Sequence, residues 1–262
     1  MRVVAVALFA LSVFAGPKPP VEALRAETLS AFEHHVHSRE AEMERTYHKG
    51  NGFLWSDLAD SRKRRVRAGE VVIEPRDGKG LFEIKGGLIH DWVGAAFIPK
   101  VTLATVLKRV QDYDKHKQYY RPEVVDSKLL SHQGDEYRVY MRLLKKKVLT
   151  VVLNTEHDVK YYPVDATKAY SKSYTTKIAE LDDPGTASER ELKPGSDHGF
   201  LWRLNSYWRF FERDGGVYVE CEAISLSRGV PLGLTWVLAP ILRDLPRESL
   251  SHTLDATRQA FD

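Results

Sequence analysis

Between residues 21 and 47 helix-forming residues dominate, and the apolar positions Leu24, Phe32, Val36 and Met43 make one thin stripe among many charges. This pattern predicts a helix that lies against another part of the chain. Gly50-Asn51-Gly52 ends it. From Glu70 the spacing changes to the two-residue period of strands. Residues 71–73 and 81–84, on either side of Asp77-Gly78-Lys79-Gly80, predict a hairpin, and residues 87–98 a longer apolar strand stopped by Pro99. Leu103, Val106, Leu107 and Val110 return to helical spacing behind Thr102, a capping residue, and a second short helix follows near residues 113–119.

After Arg121-Pro122 the strand period persists through six runs, 124–131, 137–144, 148–157, 170–181, 199–213 and 217–227, each bounded by turn residues. The last two are rich in aromatic residues and joined by Asp214-Gly215-Gly216. Sequential antiparallel strands of this length curl, and one face of the sheet has to be covered. The C-terminal segment can do so. Pro240 and Pro246 predict a short helix near 234–242 and a main one over 245–261, with Asp244 near its cap. Leu250, Leu254, Thr257 and Phe261 share one face of the main helix, which faces the sheet.

The order is one strand, two short helices, six strands and a long helix, an α+β arrangement. It resembles the START-like or polyketide-cyclase (SRPBCC) superfamily, whose helix-grip fold wraps a curved antiparallel sheet around a C-terminal helix. The matching segments are 92–99 as first strand, 101–119 as the helix pair with Asp112-Tyr113 at their junction, 120–127 entering the second strand, and 217–231 before the helix. The resemblance covers residues 87–262 and is one of architecture, without a catalytic signature. Residues 16–86 depart from it as an added helix and hairpin, behind a segment 1–15 discussed below.

Alternation puts Trp202, Leu204, Ser206, Trp208 and Phe210 on one face of their strand, and Arg203, Asn205, Tyr207 and Arg209 on the other. Tyr137, Val139, Met141 and Leu143, and Leu149, Val151 and Leu153, make similar apolar faces. These residues fill a core or line a cavity, and the resemblance implies the cavity. Its ligand-binding residues would be Tyr137, Met141, Leu143, Val151, Leu153, Trp202, Trp208, Phe210, Leu250 and Leu254. His90, Asp91, His157 and Arg209 are the candidate polar groups to orient a ligand or move protons. Glu220 and Glu222, with Arg203 or Arg209, read as surface ion pairs.

The 262 residues, 43% hydrophobic, suffice for a real core, and a formal charge of +3 from 39 basic and 36 acidic residues gives no field to steer the whole molecule to nucleic acid. The run 61–67 has five basic residues in seven and reads as a solvated loop or face, or as a weak contact with an anionic membrane surface. Arg2 followed by the apolar run 3–13 predicts a secretory signal cleaved after Ala15, hence a periplasmic or secreted protein. Cys221 is the only cysteine, so no intramolecular disulfide can form, and it reads as a small buried hydrophobe. His34, His35 and His37 lack the converging partners a metal site requires. No phosphate-binding or nucleophile-elbow motif is present, and no cofactor is expected.

These observations point to a binding protein for a hydrophobic small molecule, most simply a lipid, held between sheet and C-terminal helix. A cyclase or aromatase using the same cavity is the alternative that the resemblance also implies. A third is an envelope interaction module that meets a partner through residues 21–67.

Overall fold

The computed structural model describes residues 20–47, 52–146, 149–230 and 235–261. The signal segment 1–15 lies outside them. Helix α1 (Ala26–Tyr47) opens the described chain, followed by α2 (Asp60–Arg67), β1 (Val72–Pro75), β2 (Leu81–Ile84) and β3 (Gly87–Pro99). Helices α3 (Leu103–Val110) and α4 (His116–Tyr119) lead to β4 (Val124–Gln133), β5 (Glu136–Lys146), β6 (Thr150–Pro163) and β7 (Lys168–Asp182). A two-residue strand β8 (Arg190–Glu191) precedes β9 (Arg203–Arg213), β10 (Gly216–Arg228) and α5 (Thr235–Gln259).

One antiparallel sheet runs in the order β1, β3, β10, β9, β7, β6, β5, β4. The first and last long strands of the sequence therefore pair side by side, one strand in from the edge that β1 forms, with Gly94 opposite Cys221. Asp214 and Gly215 both have positive φ, 57° and 78°, the backbone of the two-residue turn that suits twisted hairpins, and they join β9 to β10. Strands β1 and β2 do not pair with each other as the turn between them predicts. Both pair with β3, Val72 opposite Ala95 and Leu81 opposite His90, because β3 is long enough to take them end to end along one edge.

Helix α5 packs on the concave face. A Cβ at Gly94 would lie 2.5 Å from Leu254 Cδ1 and 2.9 Å from Ile73 Cγ1, so only glycine lets the helix sit this near β3. The prolines do not divide α5 in two, contrary to the expectation. An interior proline costs about 3 kcal/mol and bends a helix, and the burial of Leu242, Leu250 and Leu254 on either side of Pro246 offsets that cost.

The convex face departs furthest from expectation. Thr28, Phe32, Val36, Arg39 and Met43 repeat at helical spacing along α1 and are all buried. With Phe53, Leu54 and Trp55 the apolar members share a core with Val93, Ala95, Tyr207, Tyr218 and Ile224 of β3, β9 and β10. The extension thus covers the sheet from behind, giving three layers, α1, sheet and α5. The basic run forms α2 rather than a loop. Val66 is its buried anchor, while Arg62 pairs with Glu74 at 2.8 Å and Arg67 with Asp214 at 2.9 Å. No helix among the described residues is long and apolar enough to cross a membrane.

Candidate functional site

A cavity of about 300 Å³ lies between the concave face and α5, a size at the low end for small-molecule sites. Curl of the sheet opens it, because the side chains of alternate positions on six strands converge on one volume. Strands β5 and β6 supply Met141, Leu143, Val151 and Leu153. Trp208 and Phe210 come from β9, their rings parallel within 6° at a centroid separation of 6.1 Å. From α5 come Leu242, Leu245 and Leu250, and from the α3–α4 region Val110, Tyr113 and His116. Cys221 is in the wall and buried, and burial pushes its thiol pKa up, so it stays protonated.

Of the sequence-predicted residues, Met141, Leu143, Val151, Leu153, Trp208, Phe210 and Leu250 line this cavity together, and so do His90 and His157. Five do not. Tyr137 shares the concave face but lies against Tyr113 and Tyr161, each ring centroid 5.5 Å away, with His132 stacked on it at 4.2 Å. Leu254 is spent on the contact with Gly94. Trp202 precedes β9, so the strand alternation does not reach it. Its indole donates to Asp197 at 3.1 Å, and it joins the core on the α1 side.

Asp91 and Arg209 point to the opposite face, and the expectation that Glu220 and Glu222 are surface groups is overturned with them. Asp91, Glu220 and Glu222 are at most 2% exposed. Arg39 of α1 donates to Glu222 Oε1 from Nε and Nη2, both at 3.0 Å, and its Nε lies 3.6 Å from Asp91 Oδ2. His35 bonds the same Asp91 oxygen at 2.8 Å. The backbone amides of Trp55 and Ser56 donate to the two oxygens of Glu220 at 2.7 Å, and Arg209 Nη1 lies 3.7 Å from it. Burial nonetheless pushes the pKa of both glutamates up, with Asp91 adding like-charge repulsion at Glu222. One oxygen each of Asp91 and Glu222 has no hydrogen-bond partner among the described residues. His35 is engaged by Asp91 in a hydrogen bond, and among the described residues no group of three or more His, Cys, Asp or Glu is placed to hold a metal ion.

The cavity's own polar groups are mostly ones the sequence reading passed over. Ser171 and Ser173 of β7, Ser206 of β9, and Ser225 and Ser227 of β10 lie in its wall. They form a band across the sheet, Ser173 opposite Ser206 and Ser225 opposite His90. The serine pairs two residues apart were the signal available. His157 Nε2 bonds Thr155 Oγ1 at 3.0 Å, His116 Nε2 bonds the Val110 carbonyl at 2.9 Å, and His90 Nε2 bonds Ser227 Oγ at 3.1 Å. Burial lowers all three histidines to a pKa of about 4, so they are neutral at pH 7. Lys145, lowered by burial and paired with Glu123, bonds Ser249 of α5 at 2.6 Å.

No family model and no curated protein matches the chain. Solved structures do. A STAR-related lipid transfer protein from Xanthomonas axonopodis is 17% identical with a TM-score of 0.45, over 70% of this chain and 99% of that one. A START superfamily protein from Mycobacterium smegmatis is 12% identical with a TM-score of 0.41, over 67% and 97%. The Zhui aromatase/cyclase from Streptomyces sp. R1128 is 11% identical with a TM-score of 0.40, over 66% and 93%. By its own element order, with β3 and β10 paired side by side in a curved sheet and α5 across the concave face, the chain has the START-like helix-grip fold.

Proposed function

We propose that the protein binds a hydrophobic small molecule, most simply a lipid, in the cavity between the sheet and α5. The observation that carries this reading is the cavity itself, whose wall is mostly apolar and closed by Leu242, Leu245 and Leu250. Binding suits the wall better than proton transfer at neutral pH. Its histidines are held neutral with pKa values of about 4, its carboxylate Glu123 is paired with Lys145, and the carboxylates of Asp91, Glu220 and Glu222 belong to the other face.

Leu250→Trp puts an indole where the helix meets the cavity. It is expected to lower uptake of the neutral dye Nile red at least about tenfold while far-ultraviolet circular dichroism keeps the wild-type shape, since a lost or blocked apolar contact of this size is worth roughly 1.5–3 kcal/mol. Undiminished uptake by this variant, or no uptake by the wild type, counts against the reading. The apolar run at residues 3–13 supports a periplasmic or secreted location as part of the same proposal. Fractionation of expressing cells should find the protein outside the cytoplasm, shortened by fifteen residues; full-length protein in the cytoplasm refutes it.

A further inference from the structure

We propose that the cavity is built for an apolar molecule carrying a hydroxyl group, whose O–H donates to His90 Nδ1. The inference rests on the cavity being a binding site and adds the chemistry of what it binds. His90, on β3, is 1% exposed and lines the cavity. Its Nε2 lies 3.1 Å from Ser227 Oγ, and the Ser227 hydroxyl reaches the Arg228 carbonyl at 3.3 Å. A serine has one proton to give. Spent on the carbonyl, it leaves Oγ facing the imidazole as an acceptor, so Nε2 carries the ring's proton and Nδ1 is a bare lone pair. That nitrogen is buried and has no partner among the described residues.

A buried acceptor left empty is costly, so the group that belongs opposite it is a donor. Ethers, ketones and ionised carboxylates bring none. An ammonium brings protons, but at a desolvation cost that the serines and neutral histidines around it cannot offset, and the carboxylate in the wall, Glu123, is already paired with Lys145. A hydroxyl is neutral and donates. It also accepts, which matters because Trp92, two residues further along β3 in the same wall, has a buried indole N–H with no partner among the described residues, and an indole only donates.

Dodecanol and its isomer methoxyundecane separate donation from size and composition, since the ether accepts but cannot donate. Displacement of Nile red by each would be measured for wild type, His90→Phe and Ser227→Ala. The alcohol-to-ether affinity ratio is expected to fall about tenfold in His90→Phe, in line with one buried hydrogen bond. It should fall in Ser227→Ala as well, because without the serine the ring can place its proton on Nδ1 and meet the ether oxygen. Ser227→Ala decides the matter alone if His90→Phe does not fold. An unchanged ratio overturns the inference while dye uptake leaves the binding reading standing; failure of the wild type to take up the dye overturns both.

Discussion

Arg39→Met is expected to destabilise the protein by about 3–5 kcal/mol, because it strands the Glu222 charge beneath α1 and leaves Asp91 with only its His35 hydrogen bond. The size of the effect follows from geometry. Arg39 is 5% exposed and gives both of its inward-facing donors to Glu222, while its charge also serves Asp91. Urea denaturation would read the loss as a fall in midpoint at unchanged slope. Combining Arg39→Met with Glu222→Gln and Asp91→Asn removes the stranded charges and should recover more than half of it. A loss below about 1 kcal/mol, the range of exposed pairs, would mean that water reaches the cluster and that α1 does not seal it.

Acid should weaken the protein through the cavity. His90, His116 and His157 have folded-state pKa values of about 4 against an ordinary 6.5, so between those values the unfolded chain binds protons that the folded chain refuses. Their contribution is therefore complete above pH 6.5 and lost as pH falls towards 4. The three together set a slope of up to about 4 kcal/mol per pH unit. Glu220 and Glu222 act in the opposite sense. Their pKa values are raised in the folded state, so the folded chain takes up protons there as pH falls. Three protons against two leave a net loss of at least about 1.4 kcal/mol per unit in the middle of the window. Urea midpoints between pH 7 and pH 5 would measure it, and Glu222→Gln, which removes one opposing proton, should steepen the fall. A midpoint that does not move with pH sinks the assignment of neutral buried histidines.

Much of this architecture could be read from spacing. The bounds of α3 follow from Leu103, Val106 and Val110 behind the Thr102 cap, whose Oγ1 accepts from Thr105 N at 3.3 Å. The cavity faces of β5, β6 and β9 follow from alternation at Met141, Val151 and Trp208. The convex face was not legible, and for a physical reason. Arg209, Glu220 and Glu222 alternate with apolar residues as they would on a wet surface, and a face neutralised by a second layer has the same pattern as one bathed in water. The residue that distinguishes the two, Arg39, stands 183 positions from Glu222. Trp202 was placed by extending a period past the strand's first residue. The pairing of β1 and β2 is not legible either, because a turn between two strands does not reveal that a third, longer strand serves both.

Charges buried on one side of β10 also constrain how the chain can misassemble. Cys221 and Ala223 face the cavity, while Glu222 faces α1 and Glu220 the segment at Trp55 and Ser56 on the same side, so a slip of one residue against β3 would exchange the two sets. Both carboxylates would then enter an apolar wall, with no guanidinium or backbone amide to meet them. Hydrophobic alternation alone would penalise such a slip weakly, since both faces of this strand are buried. The ion cluster makes the penalty large, and so β10 has a single register against β3 in which both of its buried carboxylates meet a donor.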